Sequence, residues 1–175
     1  MVNIFFSKRV GELMNLERWI LIGVISVSLL TIITLIPRDR AREAWILFLF
    51  LPLITWPAGL FVVEMGWIEY PIQLLKGVNQ YNRTSLTFEF FTFPVVAIIF
   101  SLYFPNVRWY GAIIYYVCFA GFFTIIEVLL EKTTRLVEYH EWTWYLTLIT
   151  VIIALFLNHT YYLWYRQKLN KANTS

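Results

Sequence analysis

Charge is scarce in this sequence. Asp, Glu, Lys and Arg supply 14% of its residues, where soluble domains carry roughly 25%. That shortage excludes an ordinary water-facing surface. Cysteine is nearly absent as well. The single Cys118 allows neither an internal disulfide nor a cysteine-based zinc site, and its apolar surroundings suit a small buried hydrophobe. The two histidines, His140 and His159, would lie almost 30 Å apart on one helix, at about 1.5 Å of rise per residue, so one metal cannot take both. His140, next to Glu138 and Glu141, reads as an interfacial histidine rather than a ligand. Glycine-rich phosphate loops, a nucleophile elbow, a metalloprotease helix and a Cys/His cluster are all missing. No catalytic set, cofactor or metal is therefore expected, and the balance leans against an enzyme. The net charge of +3 is not gathered into the basic stripe that nucleic acid requires, so no nucleic-acid partner is expected.

Apolar surface is what the chain has in excess. Hydrophobic residues reach 59% and aromatics 19% of the 175 residues, more than one soluble core of that length could hide. The partner this implies is the lipid bilayer. A hydrocarbon layer about 30 Å thick needs roughly 20 apolar residues per helix, and five stretches qualify: 19–36, 44–63, 86–104, 109–130 and 142–164. Trp19, Trp45, Trp109 and Trp142 open spans and Trp164 closes one, where indole rings favour the headgroup level. The first run is too long for a typical signal peptide and is read as a retained helix. The span 44–63 contains Pro52 and Pro57, so either a kinked helix or a re-entrant segment fits it. Phe6, Val10, Leu13 and Met14 share one helical face, as do Ile68, Ile72 and Leu75 after the second span. Both patterns fit helices lying on the membrane surface. The expected fold is all-α: one polytopic membrane helix bundle over residues 1–175, with about five transmembrane helices plus one or two interfacial ones.

With five spans the termini fall on opposite sides. Lys and Arg then divide seven against seven, so a simple count leaves the positive-inside rule tied. Arg38, Arg40 and Arg42 crowd one short loop, which would resist translocation. The expectation is a cytoplasmic C-terminus and an external N-terminus. The carboxylates are far less even. Nine acidic residues fall on the N-terminal side of the membrane and only Asp39 and Glu43 on the other.

Glu127 is the sharpest of these, set inside the apolar run Ile125-Ile126-Glu127-Val128-Leu129-Leu130. An ionisable group there costs insertion energy and is a candidate for function. Glu127, Glu131 and Arg135 are spaced by four residues and Glu138 follows by three, so on a continuing helix they form one polar stripe, with Glu131 and Arg135 in the favourable order. Glu89, near the start of the third span, would enter from the same face at similar depth. The candidate polar site is thus Glu127, Glu131, Glu89, Arg135 and Glu138. Its structural reading is a helix end salt-bridged to Lys76, Arg83 or Arg135. Its functional reading is an intramembrane proton relay, cation site or acid/base pair.

The stretches Phe104-Pro105-Asn106-Val107-Arg108-Trp109-Tyr110-Gly111, Phe119 to Val128, Leu130-Glu131-Lys132-Thr133 and Glu138 to Tyr145 carry a resemblance. Over residues 93–164 the chain resembles an uncharacterised family of small multi-pass membrane proteins from spore-forming Gram-positive bacteria. The resemblance implies a helical fold in the bacterial plasma membrane, with a link to envelope or sporulation physiology, and it implies no mechanism. Three functions stay open. One is a structural or accessory membrane protein, alone, as a homo-oligomer or with a membrane-protein partner. A second is a small oligomeric proton-coupled transporter or channel using Glu127. The third is a membrane enzyme acting on a lipid or isoprenoid. A transporter needs Glu127 on a cavity reaching inward, and an enzyme needs an opening to lipid beside it. An accessory protein needs only a capped carboxylate.

Overall fold

The computed structural model describes the backbone of residues 2–75 and 84–173, and the side chains of residues 16–75, 84–169 and 171. Five helices carry the chain. Helix α1 runs Val2–Leu35 and stops before Pro37, whose ring disfavours helical geometry in the residue ahead of it. After a 3-10 turn at Arg38–Arg40, helix α2 spans Ala41–Glu64 without interruption through Pro52 and Pro57. The continuous alternative, not the re-entrant one, therefore holds for the second span. Helix α3, Phe93–Leu102, is preceded by a π turn at Phe88–Thr92. Helix α4 is Trp109–Thr133 and helix α5 is Trp144–Asn173. The amphipathic segment at the N-terminus continues directly into α1. The faces of its side chains before Leu16, together with Lys76 and Arg83, lie outside the described residues.

Among the described residues, four helices are long and apolar enough to cross a membrane: α1, α2, α4 and α5. The third expected span is the exception. Phe88–Leu102 is a shorter apolar helix, rising about 20 Å against a hydrocarbon layer of about 30 Å. Pro105 helps to end it, since α3 stops at Leu102 and the chain is extended by Arg108. Pro94, which has no N–H and crowds the preceding turn, follows directly on the wider π turn. This helix is also the most enclosed of the five. Ala97, Ile98, Phe100, Ser101 and Leu102 are all buried, packed against α2, α5 and α1. The outer helices show lipid-facing flanks instead, with Ile33, Leu53, Phe122 and Ile125 among the most exposed side chains.

Where the spacing of Ile68, Ile72 and Leu75 predicts a surface helix, the chain instead forms a strand and an irregular segment: β1 at Ile68–Glu69 pairs antiparallel with β2 at Glu138–Tyr139, and residues 70–75 are not helical. Gly66 sets up β1. It takes φ +72° after the end of α2, a left-handed conformation that costs glycine little. Its N–H bonds to the Val63 carbonyl and the Trp67 N–H to the Val62 carbonyl, closing the helix end. The Trp67 carbonyl then accepts from His140 and Trp142 N–H groups at 3.0 and 3.3 Å. The ribbon thus ties the α2–α3 and α4–α5 connections together at one end of the bundle. At the other end the Tyr103 hydroxyl donates to the Leu35 carbonyl at 2.6 Å, and Arg40 to the Leu102 carbonyl at 3.2 Å. Successive helices therefore run in alternating directions.

Phe100 is fully buried at the centre of a cluster with Leu51, Ala97 and Leu155. Phe100→Ala is expected to lower unfolding free energy by about 3–5 kcal/mol through the lost burial and the cavity left behind. The lipid-facing Phe122→Ala is expected to cost less than about 1 kcal/mol. Denaturant unfolding of both variants in the same mild detergent checks the contrast.

Candidate functional site

Helix α4 brings Glu127 up beneath the ribbon, where the α4–α5 connection folds back over it. The Tyr139 hydroxyl, on β2, donates to Glu127 Oε1. Thr147, in the first turn of α5, donates to the same oxygen at 3.0 Å. The Trp142 indole N–H in turn donates to Thr147 Oγ1 at 2.8 Å, and the Tyr139 and Thr147 oxygens lie 3.1 Å apart. Thr147 is thereby held with its one hydrogen free for the carboxylate. Tyr139 remains a donor because its phenol is held well above the usual range. Burial is the larger cause, followed by the negative charge of Glu127 and the hydrogen bond to it. Tyr70, in the α2–α3 connection, is raised in the same direction by burial and then by the charges of Glu127 and Glu89.

Glu89 reaches the same place from the π turn ahead of α3. It is 4% exposed. A Cβ added at Gly59 would lie 2.7 Å from Glu89 Oε1, so the missing side chain on α2 is what makes room for this carboxylate. Its other oxygen, Oε2, is buried without a hydrogen-bond partner among the described residues. Among those residues the ion pairs are Arg135–Glu138, His140–Glu69 and Arg166–Glu43, so no cation there pairs with Glu89 or Glu127.

Both carboxylates open onto one cavity of about 240 Å³ between α2, α3, α4 and α5. Apart from Glu89, Glu127 and a few hydroxyls, its walls are apolar, and Ile68, Tyr70 and Trp142 roof it on the ribbon side. Ala58 on α2 and Thr150 and Ile153 on α5 line it and are also exposed at the outer surface. The cavity therefore opens sideways between α2 and α5, in the half of the bundle nearer the ribbon.

Of the five residues that the sequence pattern marks, the fold unites Glu127 and Glu89 and separates the rest. The expected stripe breaks because α4 ends at Thr133 and Thr134 is extended, at φ −135° and ψ 173°. Arg135 pairs with Glu138 at 3.3 Å on the exposed side of the ribbon, not with Glu131. Its backbone N–H donates to Glu17 Oε1 at 2.6 Å, tying α1 to the α4–α5 connection. Glu131 is half-buried and near enough to add to the upward push on Tyr139. His140 Nε2 lies 3.3 Å from Glu69. Tyr139, Trp142 and Gly59 belong to the site with no pattern in the sequence that marks them. Thr147 alone carries a periodic signal, as the start of the Thr147, Thr150, Ala154, Asn158 face of α5.

Tyr139→Phe and Thr147→Val each remove one donor from Glu127 with little change of volume. Each is expected to cost about 1–3 kcal/mol of stability. The two losses are expected to be non-additive, because both act on one oxygen. Denaturant titration of the two single variants and the double variant in detergent measures this coupling.

No protein-family model, curated protein or solved structure matches the chain.

Proposed function

We propose that this small integral membrane protein binds the apolar chain of a lipid-like molecule, whose hydrogen-bond-donating head group lodges against Glu89 and Glu127. The observation that carries this reading is the sideways-open apolar cavity with two carboxylates at its inner end, neither paired with a cation among the described residues. An apolar cavity of about 150 Å³ is enough to take up a small hydrocarbon, so about 240 Å³ suits a segment of an alkyl or isoprenoid chain whose remainder stays in the bilayer. Carboxylates accept hydrogen bonds and attract positive charge, which favours an amine or alcohol head over a carboxylate or phosphate. With the N-terminus outside and the plasma membrane as host, the cavity sits in the outer leaflet.

A structural or accessory role fits the hydroxyl cap on Glu127. It gives no reason for the cavity or for two carboxylates that lack a cation among the described residues. An enzyme acting on a lipid or isoprenoid would use the same pocket, with one carboxylate as acid and the other as base, and so shares the binding step proposed here.

Photoreactive alkyl probes of equal chain length, bearing an amine, an alcohol or a carboxylate, test the proposal in nanodiscs. The amine and alcohol are expected to label Ile54, Ala58, Thr150 and Ile153, and the carboxylate is not. Ala58→Phe, at the mouth, is expected to remove that labelling. Even labelling of all lipid-facing helices by all three probes would contradict the reading. Glu89→Gln keeps the volume and removes the charge. It is expected to weaken amine labelling at least about tenfold, equivalent to about 1.4 kcal/mol, and to spare the alcohol.

A further inference from the structure

A second group of buried polar atoms lies in the other half of the bundle. Asn158 on α5 is wholly buried, yet neither its Oδ1 nor its Nδ2 has a hydrogen-bond partner among the described residues. The same holds for Ser101 Oγ on α3 and His159 Nδ1 on α5, both buried. Four orphaned polar atoms in one region are unusual, since buried amides and hydroxyls are almost always satisfied by protein or by ordered water.

These atoms share a level. Helices α3 and α5 both run away from the ribbon, and Ala97 packs in one cluster with Leu155. Ser101 and Asn158 each lie one turn beyond that contact. His159 sits beside them in an aromatic surround, with its ring stacked on Phe104 at 4.2 Å and edge-on to Phe100 at 5.8 Å. One turn further along α5, Tyr162 donates to Glu43 on α2 at 2.8 Å. Glu43 lies 3.8 Å from the partly exposed Arg166. Polar groups thus continue from Asn158 to the end of the bundle opposite the ribbon.

An apolar layer separates this group from the carboxylate cavity. Leu51, Ala97, Phe100 and Leu155 form it, and Leu51 and Leu155 also line the cavity itself. Thr147, Val151, Leu155, Asn158 and Tyr162 recur at intervals of four, four, three and four residues, so one face of α5 carries the whole series.

We propose that Ser101, Asn158 and His159 form an internal water-binding site, entered past Tyr162 and Glu43, that gives protons access from the end opposite the ribbon. The Leu51–Ala97–Phe100–Leu155 layer is its barrier to Glu127 and Glu89. Water supplies donor and acceptor at once, which is what an amide, a hydroxyl and an imidazole nitrogen together require. The inference goes beyond ligand binding and does not depend on it, since cavity labelling and proton movement are read separately.

Proteoliposomes containing a pH-sensitive dye and driven by a potassium diffusion potential test it. The wild-type protein is expected to be proton-tight, because the layer is closed. Leu155→Ser places a hydroxyl in the layer and is expected to raise proton flux at least about tenfold. Ala97→Ser changes the same layer by one oxygen and is expected to act in the same direction, which keeps the test valid if Leu155→Ser fails to insert. Adding Asn158→Leu to the leaking variant is expected to return the flux to the wild-type rate. Inserted layer variants as tight as wild type would overturn the proposal, as would a leak that persists with Asn158→Leu.

Discussion

Inside hydrocarbon there is no water to complete a hydrogen bond, so the protein must satisfy its polar groups itself. That constraint runs through the molecule. Ser26, Thr34, Thr124, Thr133 and Thr150 each return their hydroxyl hydrogen to a carbonyl one turn earlier in their own helix. The end of α2 is closed by the Gly66 turn, and the two connections beyond it complete one another through the ribbon. Glu127 is met by two hydroxyls, one from the ribbon and one from the first turn of α5. Without the ribbon, Tyr139 would have no fixed position and the carboxylate would lose a donor.

Against that background the unsatisfied atoms are the informative ones. Among the described residues they include Glu17, Arg18, Thr55 and Thr143, and two groups flank the short, enclosed helix α3: Glu89 Oε2 at its start, and Ser101 with Asn158 and His159 near its end. The helix is too short to cross a bilayer unaided, but its neighbours shield it from lipid. A helix surrounded by protein need not match the hydrocarbon thickness. It can therefore begin with a π turn, a deviation that recurs at functional sites, and here that turn carries Glu89 to the gap left by Gly59.

The all-α bundle was legible because apolar runs of bilayer length have few other uses. The long helices α1, α2, α4 and α5 followed from those runs. The shortness of α3 was not legible, since counting apolar residues does not say whether lipid or protein covers them. Glu127 stood out as a lone carboxylate in an apolar run, and Glu89 as one entering from the same face. Their convergence on a cavity depends on the close approach of α2 at Gly59, which has no local pattern. The stripe to Arg135 and Glu138 failed for a local reason: the chain becomes extended at Thr134, and periodicity cannot foresee where a helix stops without a proline or glycine. Tyr139 and Trp142 enter the site only because the chain reverses there.

Under the proposed function, the two buried carboxylates read a donor head group delivered from the bilayer. The most direct measurement is a solid-state NMR dipolar recoupling experiment on the protein in liposomes. It would report between the glutamate side-chain carboxyl ¹³C and the ¹⁵N of a long-chain alkylamine. A contact within about 4 Å, the range of an ion pair, is expected in the wild-type protein, with its loss in the Glu89→Gln, Glu127→Gln double variant. Dephasing that is absent in the wild type, or unchanged in the double variant, would contradict it.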